Sequence, residues 1–211
     1  MIANQGHLIL IRHGETLWNQ QHRMQGHADS PLTEQGLRQA RQLAARLAGI
    51  EFAALYSSDL GRALETARSV SRATGHEVIV DARLRERNFG IFEGLTGDEM
   101  HARFPGIFTR FKTRDPQFAV PGGESALEFR DRALGCLQEI AQRHIGEVAV
   151  VVTHGLVLDM VYRAAYRIDL DERRNFELVN AGINRCRFNR DIWQVDVWGD
   201  GSHLELEPVT K

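Results

Sequence analysis

Two apolar runs in this sequence each end in a histidine followed by glycine, and these histidines are the first candidates for chemistry. Residues 8–11 lead into Arg12 and His13, and residues 148–152 lead through Thr153 into His154. Such runs predict buried strands, and open α/β sheets bind ligands at the carboxyl ends of their strands. A neutral imidazole can attack phosphorus, and an arginine fork matches phosphate. The pattern therefore predicts a site that holds a phosphoryl group and transfers it to a histidine.

Two further side chains could complete such a site. Arg62 falls in the first turn of a predicted helix, where free backbone N–H groups and the helix dipole favour an anion. Read in isolation, it would be a solvated surface arginine. Glu86 could protonate the alkoxide that leaves a phosphate monoester, and burial or a nearby phosphate would raise the pKa of its carboxyl group. The alternative is a surface glutamate paired with Arg85 or Arg87, and Glu93 is a competing acid that spacing alone does not separate from it.

Bulk composition indicates an ordinary globular protein of one domain. The 211 residues are 43% hydrophobic and 26% charged, which suits a single full core. A net charge of −2 gives no global basic field for nucleic acid or an anionic membrane. No apolar run approaches the ~20 residues of a membrane span, and residues 1–7 lack signal-peptide features. Cys136 and Cys186 have neither the spacing of metal ligands nor that of a redox motif. We therefore expect a cytoplasmic protein with reduced, buried thiols and neither nucleic acid nor membrane as partner.

Strand and helix signals alternate along the chain, which favours an α/β fold with a largely parallel central sheet. Apolar spacing and flanking caps predict five helices, and short apolar runs predict six strands. The predicted helices cover residues 33–48, 60–74, 97–104, 124–144 and 155–166. The predicted strands cover residues 8–11, 53–57, 76–80, 148–152, 185–188 and 192–198. We expect the tail from Gly199 to be irregular, and Leu17 and Trp18 to lie in the core.

Residues 12–16, Arg-His-Gly-Glu-Thr, resemble the signature of the histidine phosphatase superfamily, also called the phosphoglycerate mutase-like family. Segments 57–67 and 84–94 are similar to the family's second arginine segment and to its acid segment, and they occur in the expected order. The resemblance implies a three-layer sandwich in which helices flank the sheet. It also implies one domain over residues 1–211, with a small lid or helical insertion at about 95–123.

The same resemblance assigns roles to individual residues. It makes His13 the nucleophile, Glu86 the general acid, and Arg12, Arg62 and His154 the ligands of the phosphoryl oxygens. The predicted substrate-binding set is completed by Asn19, Gln25, Gly26 and Gly155. Two arginines do the electrostatic work that a metal could do, and the sequence holds no HExxH motif or Cys/His cluster. No metal is therefore expected, and 2,3-bisphosphoglycerate would be needed only as the primer of a mutase.

Substrate choice is expected to depend on the stretch between Gly94 and Gly123. Apolar and cationic side chains are interleaved there, namely Phe104, Ile107, Phe108, Phe111 and Phe118 with Arg103, Arg110, Lys112 and Arg114. It could be a small helical subdomain with its own apolar face, a pocket for a substrate with apolar and anionic parts, or both. Its compactness, and the lack of the mutase's paired arginine segment, favour a phosphatase that acts on small phosphorylated metabolites. The alternatives are a cofactor-dependent phosphoglycerate mutase and a non-catalytic phospholigand-binding protein. A homodimer is also expected from the family.

Overall fold

The computed structural model describes residues 5–204, which form one six-stranded sheet with helices on both faces. The strands are β1 (Gly6–Arg12), β2 (Ala54–Ser57), β3 (Val78–Val80), β4 (Val148–Thr153), β5 (Ile183–Asn189) and β6 (Ile192–Asp200). The helices are α1 (Leu17–Gln20), α2 (Glu34–Leu47), α3 (Gly61–Thr74), α4 (Gly97–Arg103), α5 (Pro105–Lys112), α6 (Ala126–Arg143) and α7 (Gly155–Tyr166). Every predicted strand and helix is present, with ends that differ by no more than two residues.

The sheet is largely parallel, as predicted, with the strand order β3-β2-β4-β1-β5-β6. β1 and β4 are parallel neighbours in a register that sets Arg12 opposite Thr153. β5 runs antiparallel to β1, and β6 antiparallel to β5. Because β1 and β4 end together, the residues that follow them, His13 and His154, emerge side by side at the carboxyl edge of the parallel strands.

Alternate residues of β1 enter two separate apolar layers. Leu8 and Leu10 belong to a cluster with residues of α6 and α7, whereas Ile9 and Ile11 belong to one with residues of α2 and α3. All four side chains are at most 3% exposed, and full burial of one such side chain contributes about 1.5–3 kcal/mol. Successive strand residues face opposite sides of a sheet, so these two clusters lie on opposite faces and each face is covered by helices. The predicted three-layer architecture is confirmed.

The stretch between Gly94 and Gly123 is more regular than predicted. A second helix, α5, directly follows α4, and Pro105 occupies its first turn, a position that suits proline because its fixed φ is already helical. The predicted short helix is present as α4, whereas α5 is a helix that the sequence pattern did not predict. The buried ring of Phe92 contacts the rings of Phe104, Phe108 and Phe111, so this region has an apolar cluster of its own. Its role as a lid stays a prediction.

Smaller differences occur at the surface. Leu17 is 42% exposed rather than buried, because it begins the short surface helix α1, and Trp18 is only half-buried. β6 continues through Gly199 to Asp200 because these residues still pair with β5, and residues 202–204 form a 3₁₀ turn. The expectation of an irregular tail is therefore wrong for Gly199 and Asp200 and for residues 202–204.

Two predictions concern thiols and membranes. Cys136 and Cys186 are both buried and unpaired, as predicted, and burial raises the pKa of each thiol to about 12. Within residues 5–204, no helix is both long enough and apolar enough to cross a membrane. The expectations for residues 1–4 and for the tail 205–211 lie outside the described residues.

Candidate active site

A cavity of about 1030 Å³ opens at the carboxyl edge of the parallel strands. Arg12 and His13 reach it from the end of β1, Arg62 from the first turn of α3, and Glu86 from the loop after β3. Four of the five residues assigned to catalysis by the sequence thus line one cavity. Their catalytic roles stay predictions, and the chemistry that the cavity could support depends on the geometry of these side chains.

The imidazole of His13 is held in one tautomer. Its Nδ1 lies 2.8 Å from the carbonyl oxygen of Gly14, and a carbonyl only accepts, so Nδ1 carries the proton and donates it. Nε2 is therefore the unprotonated nitrogen, and its lone pair accepts the Nε–H of Arg62 over 3.3 Å. Burial, and then the charges of Arg62 and Arg12, hold the pKa of His13 well below its usual range. A lowered pKa favours the neutral imidazole, in which Nε2 is the unprotonated ring nitrogen.

Arg62 is buried and held by the loop that contains residues 26–29. Its Nη2 donates to the carbonyl oxygen of Gly26 over 2.8 Å, and its Nη1 donates to the carbonyl of Ala28 and to Oδ1 of Asp29, each over 3.0 Å. Burial lowers the pKa of Arg62, and the nearby carboxylates of Glu86 and Asp29 raise it in part. The guanidinium is consequently fixed beside His13 before any substrate arrives.

Arg12 lies on the other side of His13. Its Nη1 donates to the carbonyl oxygen of Leu178 over 2.6 Å, whereas its Nε is buried with no partner among the described residues. Burial lowers the pKa of Arg12 to about 10, and the neighbouring charges of Arg174 and Arg62 act in the same direction. Gly155 lies beside this Nε, and a Cβ built on it would be 3.4 Å from the nitrogen.

The carboxyl group of Glu86 lines the cavity. Its two oxygens accept backbone N–H groups, Oε1 from Arg87 over 2.9 Å and Oε2 from Leu156 over 3.1 Å. Desolvation by the surrounding protein raises the pKa of Glu86, and it outweighs these hydrogen bonds and the charges of Arg62 and Arg12, which lower it. A carboxyl group with a raised pKa retains a proton closer to neutral pH, as a general acid requires.

The competing carboxylate, Glu93, has a different environment. Its Oε1 accepts the backbone N–H groups of His27 and Phe89, and its Oε2 accepts that of Ala28 over 2.7 Å. Glu93 does not line the cavity, and a Cβ at Gly26 would collide with its carboxylate. Glu93 therefore joins the loop that holds Arg62 to the loop that carries Glu86.

His154 lies behind the cavity wall rather than on it. Its Nε2 is 2.8 Å from Oγ of Ser58, which itself accepts the N–H of Leu60. A Ser58 hydroxyl that donates to Nε2 would leave the ring proton on Nδ1, an atom that is buried with no partner among residues 5–204. The ring centres of His154 and His13 are 5.3 Å apart. Burial, and then the charge of Arg62, hold the pKa of His154 well below its usual range.

The other predicted binding residues, Asn19, Gln25, Gly26 and Gly155, all line the cavity. Gln25 Oε1 is buried with no partner among the described residues, whereas Asn19 uses its Oδ1 to accept the N–H of Thr16 at the start of α1. Asn19 therefore also shapes the turn after His13.

Several functional positions were missed by the sequence reasoning. Asn180 donates its Nδ2 to the carbonyl oxygen of His13 over 2.9 Å, and Asp29 pairs with Arg62. Neither carries a local signal, because both contacts join distant parts of the chain. Asp159 and Arg163 line the cavity as a buried ion pair, and two opposite charges four residues apart in an otherwise apolar helix were a signal that could have been used.

The chain belongs to the histidine phosphatase superfamily (branch 1), whose family model matches residues 8–201. Phosphoglycerate mutase-like protein 4 of Arabidopsis thaliana is 39% identical over 94% of this chain and 86% of the relative. The metal-independent phosphoserine phosphatase of Arabidopsis thaliana is also 39% identical, over 93% of this chain and 82% of the relative. Among solved structures, Bacillus stearothermophilus YhfR superposes with a TM-score of 0.86 at 40% identity, covering 94% of this chain and 99% of that one.

Proposed function

We propose that this protein hydrolyses phosphate monoesters through a phosphohistidine formed on Nε2 of His13. The observation that carries the proposal is His13, whose Nδ1 is bound to the carbonyl oxygen of Gly14, in a cavity shared with Arg12, Arg62 and the carboxyl group of Glu86. A protein that only bound phosphate would need the cations, but neither an unprotonated nucleophile nor an acid with a raised pKa.

The two arginines bind the phosphoryl oxygens. Arg12 and Arg62 flank His13, and their positive charges stabilise the negative charge that spreads over the equatorial oxygens as the reaction proceeds. His154 donates its Nδ1–H to one of these oxygens in the proposed complex. Since the guanidinium of Arg62 is held by Gly26, Ala28 and Asp29, little reorganisation is required when the charge develops.

The reaction proceeds in two displacements. In the first, the lone pair of His13 Nε2 forms a bond to phosphorus while the ester P–O bond breaks, and Glu86 gives its proton to the leaving alcohol oxygen. In the second, the Glu86 carboxylate takes a proton from water, whose oxygen attacks phosphorus. The P–N bond then breaks, its electron pair returns to Nε2, and phosphate leaves.

The relatives support this chemistry, and one of them is named as a metal-independent phosphatase. Among residues 5–204, no group of three or more His, Cys, Asp and Glu side chains is arranged to hold a metal ion. We accordingly propose metal-independent hydrolysis in the cytoplasm, where the two unpaired cysteines would stay reduced. A homodimer stays a prediction that light scattering on the purified chain can test.

Trapping the intermediate tests the proposed function. The wild type, mixed with 4-nitrophenyl phosphate and quenched, is expected to carry acid-labile phosphohistidine at position 13 by mass spectrometry. His13→Ala should carry none, while His101→Ala, which changes an exposed histidine on α4, should label normally. A wild type that no phosphate ester labels would favour a phospholigand-binding protein.

A paired assay separates hydrolysis from the mutase alternative, which the names of several relatives keep open. One arm measures phosphate release from a panel of phosphomonoesters that includes 3-phosphoglycerate. The other measures interconversion of 3- and 2-phosphoglycerate with 2,3-bisphosphoglycerate as primer. Phosphate release without interconversion is the expected result, and rapid interconversion with little release would make the protein a mutase.

A further inference from the structure

One buried carboxylate on the cavity wall has no role in the proposed reaction. Asp159, on α7, is 4% exposed and lines the cavity. Its Oδ2 accepts Nε–H of Arg163 over 2.9 Å, while its Oδ1 is buried with no donor among the described residues. Buried carboxylate oxygens in folded proteins normally accept hydrogen bonds, so an unpaired one requires an explanation.

Arg163 does not supply the missing donor, because it contacts only the other carboxylate oxygen of Asp159. Its Nε donates to Oδ2 of Asp159, its Nη1 to the carbonyl oxygen of Asp169, and its Nη2 to that of Glu172 over 3.1 Å. Arg163 therefore ties Asp159 to the segment that follows α7 and leaves Oδ1 for a donor from elsewhere.

The helix places Asp159 where a leaving group would extend. The N–H of Leu156 donates to Oε2 of Glu86, and Asp159 lies three residues further along α7, about 4.5 Å along the helix axis. Gly155, Leu156, Asp159 and Arg163 all line the cavity and so share one face of α7. An alcohol that receives the proton of Glu86 would run along this face toward Asp159.

We propose that Asp159 recognises a hydroxyl group on the carbon next to the ester-bearing carbon of the leaving alcohol. The proposal rests on the proposed phosphatase activity and adds a substrate class to it. A donor is required because a carboxylate oxygen only accepts, and the rise of about 4.5 Å along the helix axis from Leu156 to Asp159 suits a hydroxyl two bonds beyond the ester oxygen's carbon.

The charge of the cavity favours a hydroxyl over an ammonium group. The charge of Asp159 is already balanced by Arg163. Nine Lys and Arg residues line the cavity against four Asp and Glu residues, and Arg12 and Arg174 are among the nine. An ammonium group would therefore meet a neutral ion pair within a net positive field, whereas a hydroxyl donates a hydrogen bond and adds no charge.

Three substrates that differ at a single carbon test the proposal on the wild-type protein. They are 2-hydroxypropyl phosphate, propyl phosphate and 2-aminopropyl phosphate, the first and last as both enantiomers. The better hydroxyl enantiomer is expected to exceed propyl phosphate in kcat/KM by about 10–100-fold, the usual value of a hydrogen bond to a charged group. The ammonium substrate should be no better than propyl phosphate, although its leaving group is intrinsically the better one.

Asp159→Asn tests the residue itself. The side-chain oxygen of asparagine would face Arg163, so its NH₂ group, a donor, would replace the free acceptor Oδ1. The ratio of kcat/KM between the hydroxyl substrate and propyl phosphate, the hydroxyl advantage, should then fall to within about threefold of unity. Asp131→Asn, a change at an exposed carboxylate on α6, should keep the full advantage. If circular dichroism shows that Asp159→Asn does not fold, Asp159→Glu replaces it in the test. The glutamate keeps a carboxylate for Arg163 but displaces the free oxygen, so the hydroxyl advantage should be lost in this variant too.

The possible outcomes are distinct. Equal rates for hydroxyl and deoxy substrates, a preference for the ammonium substrate, or an advantage that survives in the folded Asp159 variant would each overturn the proposal. In all three cases, continued hydrolysis of 4-nitrophenyl phosphate would show that the proposed phosphatase function still holds. Failure of the wild type to release phosphate from any of these esters would instead contradict the proposed function.

Discussion

Arg62 donates its Nε–H to Nε2 of His13 over 3.3 Å, so the guanidinium touches the proposed nucleophile before any phosphoryl group binds. This contact has two effects. The charge of Arg62, second to burial, lowers the pKa of His13 and so keeps Nε2 unprotonated. It also sets the guanidinium beside the position that the transferred phosphoryl group would occupy on Nε2.

Arg62→Lys should lower kcat/KM for alkyl phosphates by about 10²–10³-fold, the usual effect of removing one donor to a developing oxyanion. Lysine keeps the charge but cannot contact Gly26, Ala28, Asp29 and the phosphoryl group together, because it lacks the fork. Steady-state kinetics measure the loss. Arg68→Lys, at an exposed position of the same helix, should have wild-type kinetics, and equal activity of both variants would contradict the assigned role of Arg62.

Glu86→Gln should reduce turnover of alkyl phosphates by about 10²–10⁴-fold, the contribution expected of a general acid. Phosphoryl transfer from 4-nitrophenyl phosphate should change much less, because nitrophenolate leaves without protonation. The comparison uses single-turnover release of each alcohol. Glu65→Gln, at an exposed residue of α3, is the matched control, and equal losses for both esters would count against Glu86 as the acid.

The pH profile should report the same group. In the proposed mechanism Glu86 is protonated when His13 attacks, so kcat/KM for an alkyl phosphate should fall as pH rises through the raised pKa of Glu86. His13 adds no acidic limb near its ordinary value of 6.5, since its pKa is lowered. Glu86→Gln should remove the alkaline limb, and a limb that persists unchanged in this variant would exclude Glu86 as its source.

Glu93→Gln should act through structure rather than through proton transfer. A glutamine cannot accept all three N–H groups of His27, Ala28 and Phe89, because its NH₂ group would face one of them. We expect a loss of about 1–3 kcal/mol in the free energy of unfolding, measured by urea titration. The loss of turnover should be similar for alkyl and nitrophenyl esters, and a loss confined to alkyl esters would instead assign an acid role to Glu93.

Treatment with EDTA followed by gel filtration should leave activity unchanged, because in the proposed mechanism Arg12 and Arg62 supply the positive charge at the phosphoryl group. Phosphate release from one alkyl ester before and after treatment measures this. Loss of activity that a particular divalent ion restores would refute the metal-free mechanism.

The central sheet could be predicted from the sequence because its signals are local. The apolar runs before His13 and His154 are short, and each ends in a turn that the sequence displays directly. The parallel pairing of β1 and β4 then brings the two histidines together. By contrast, α5 was missed because its aromatic residues lie among basic ones, and only Pro105 marked its start.

The supporting contacts could not be predicted, because they join residues that are distant along the chain. Glu93 and His27 are 66 positions apart, and Asn180 and His13 are 167 apart. Neither pair has a spacing rule, and spacing alone did not separate Glu86 from Glu93, so the choice of Glu86 rested on the family resemblance. Asp159 is the exception, since its pairing with Arg163 within one apolar helix was visible in the sequence.

The cavity is assembled from two kinds of element, and this division affects how the protein can evolve. Arg12, His13 and Arg62 project from β1 and α3, which are anchored in the core. Much of the remaining wall comes from α5 and from the segment between α7 and β5. Substitutions, insertions and deletions in these outer segments can therefore alter which alcohol is accepted without repacking the sheet. A lineage with this architecture can acquire new substrates while inheriting the same phosphoryl chemistry.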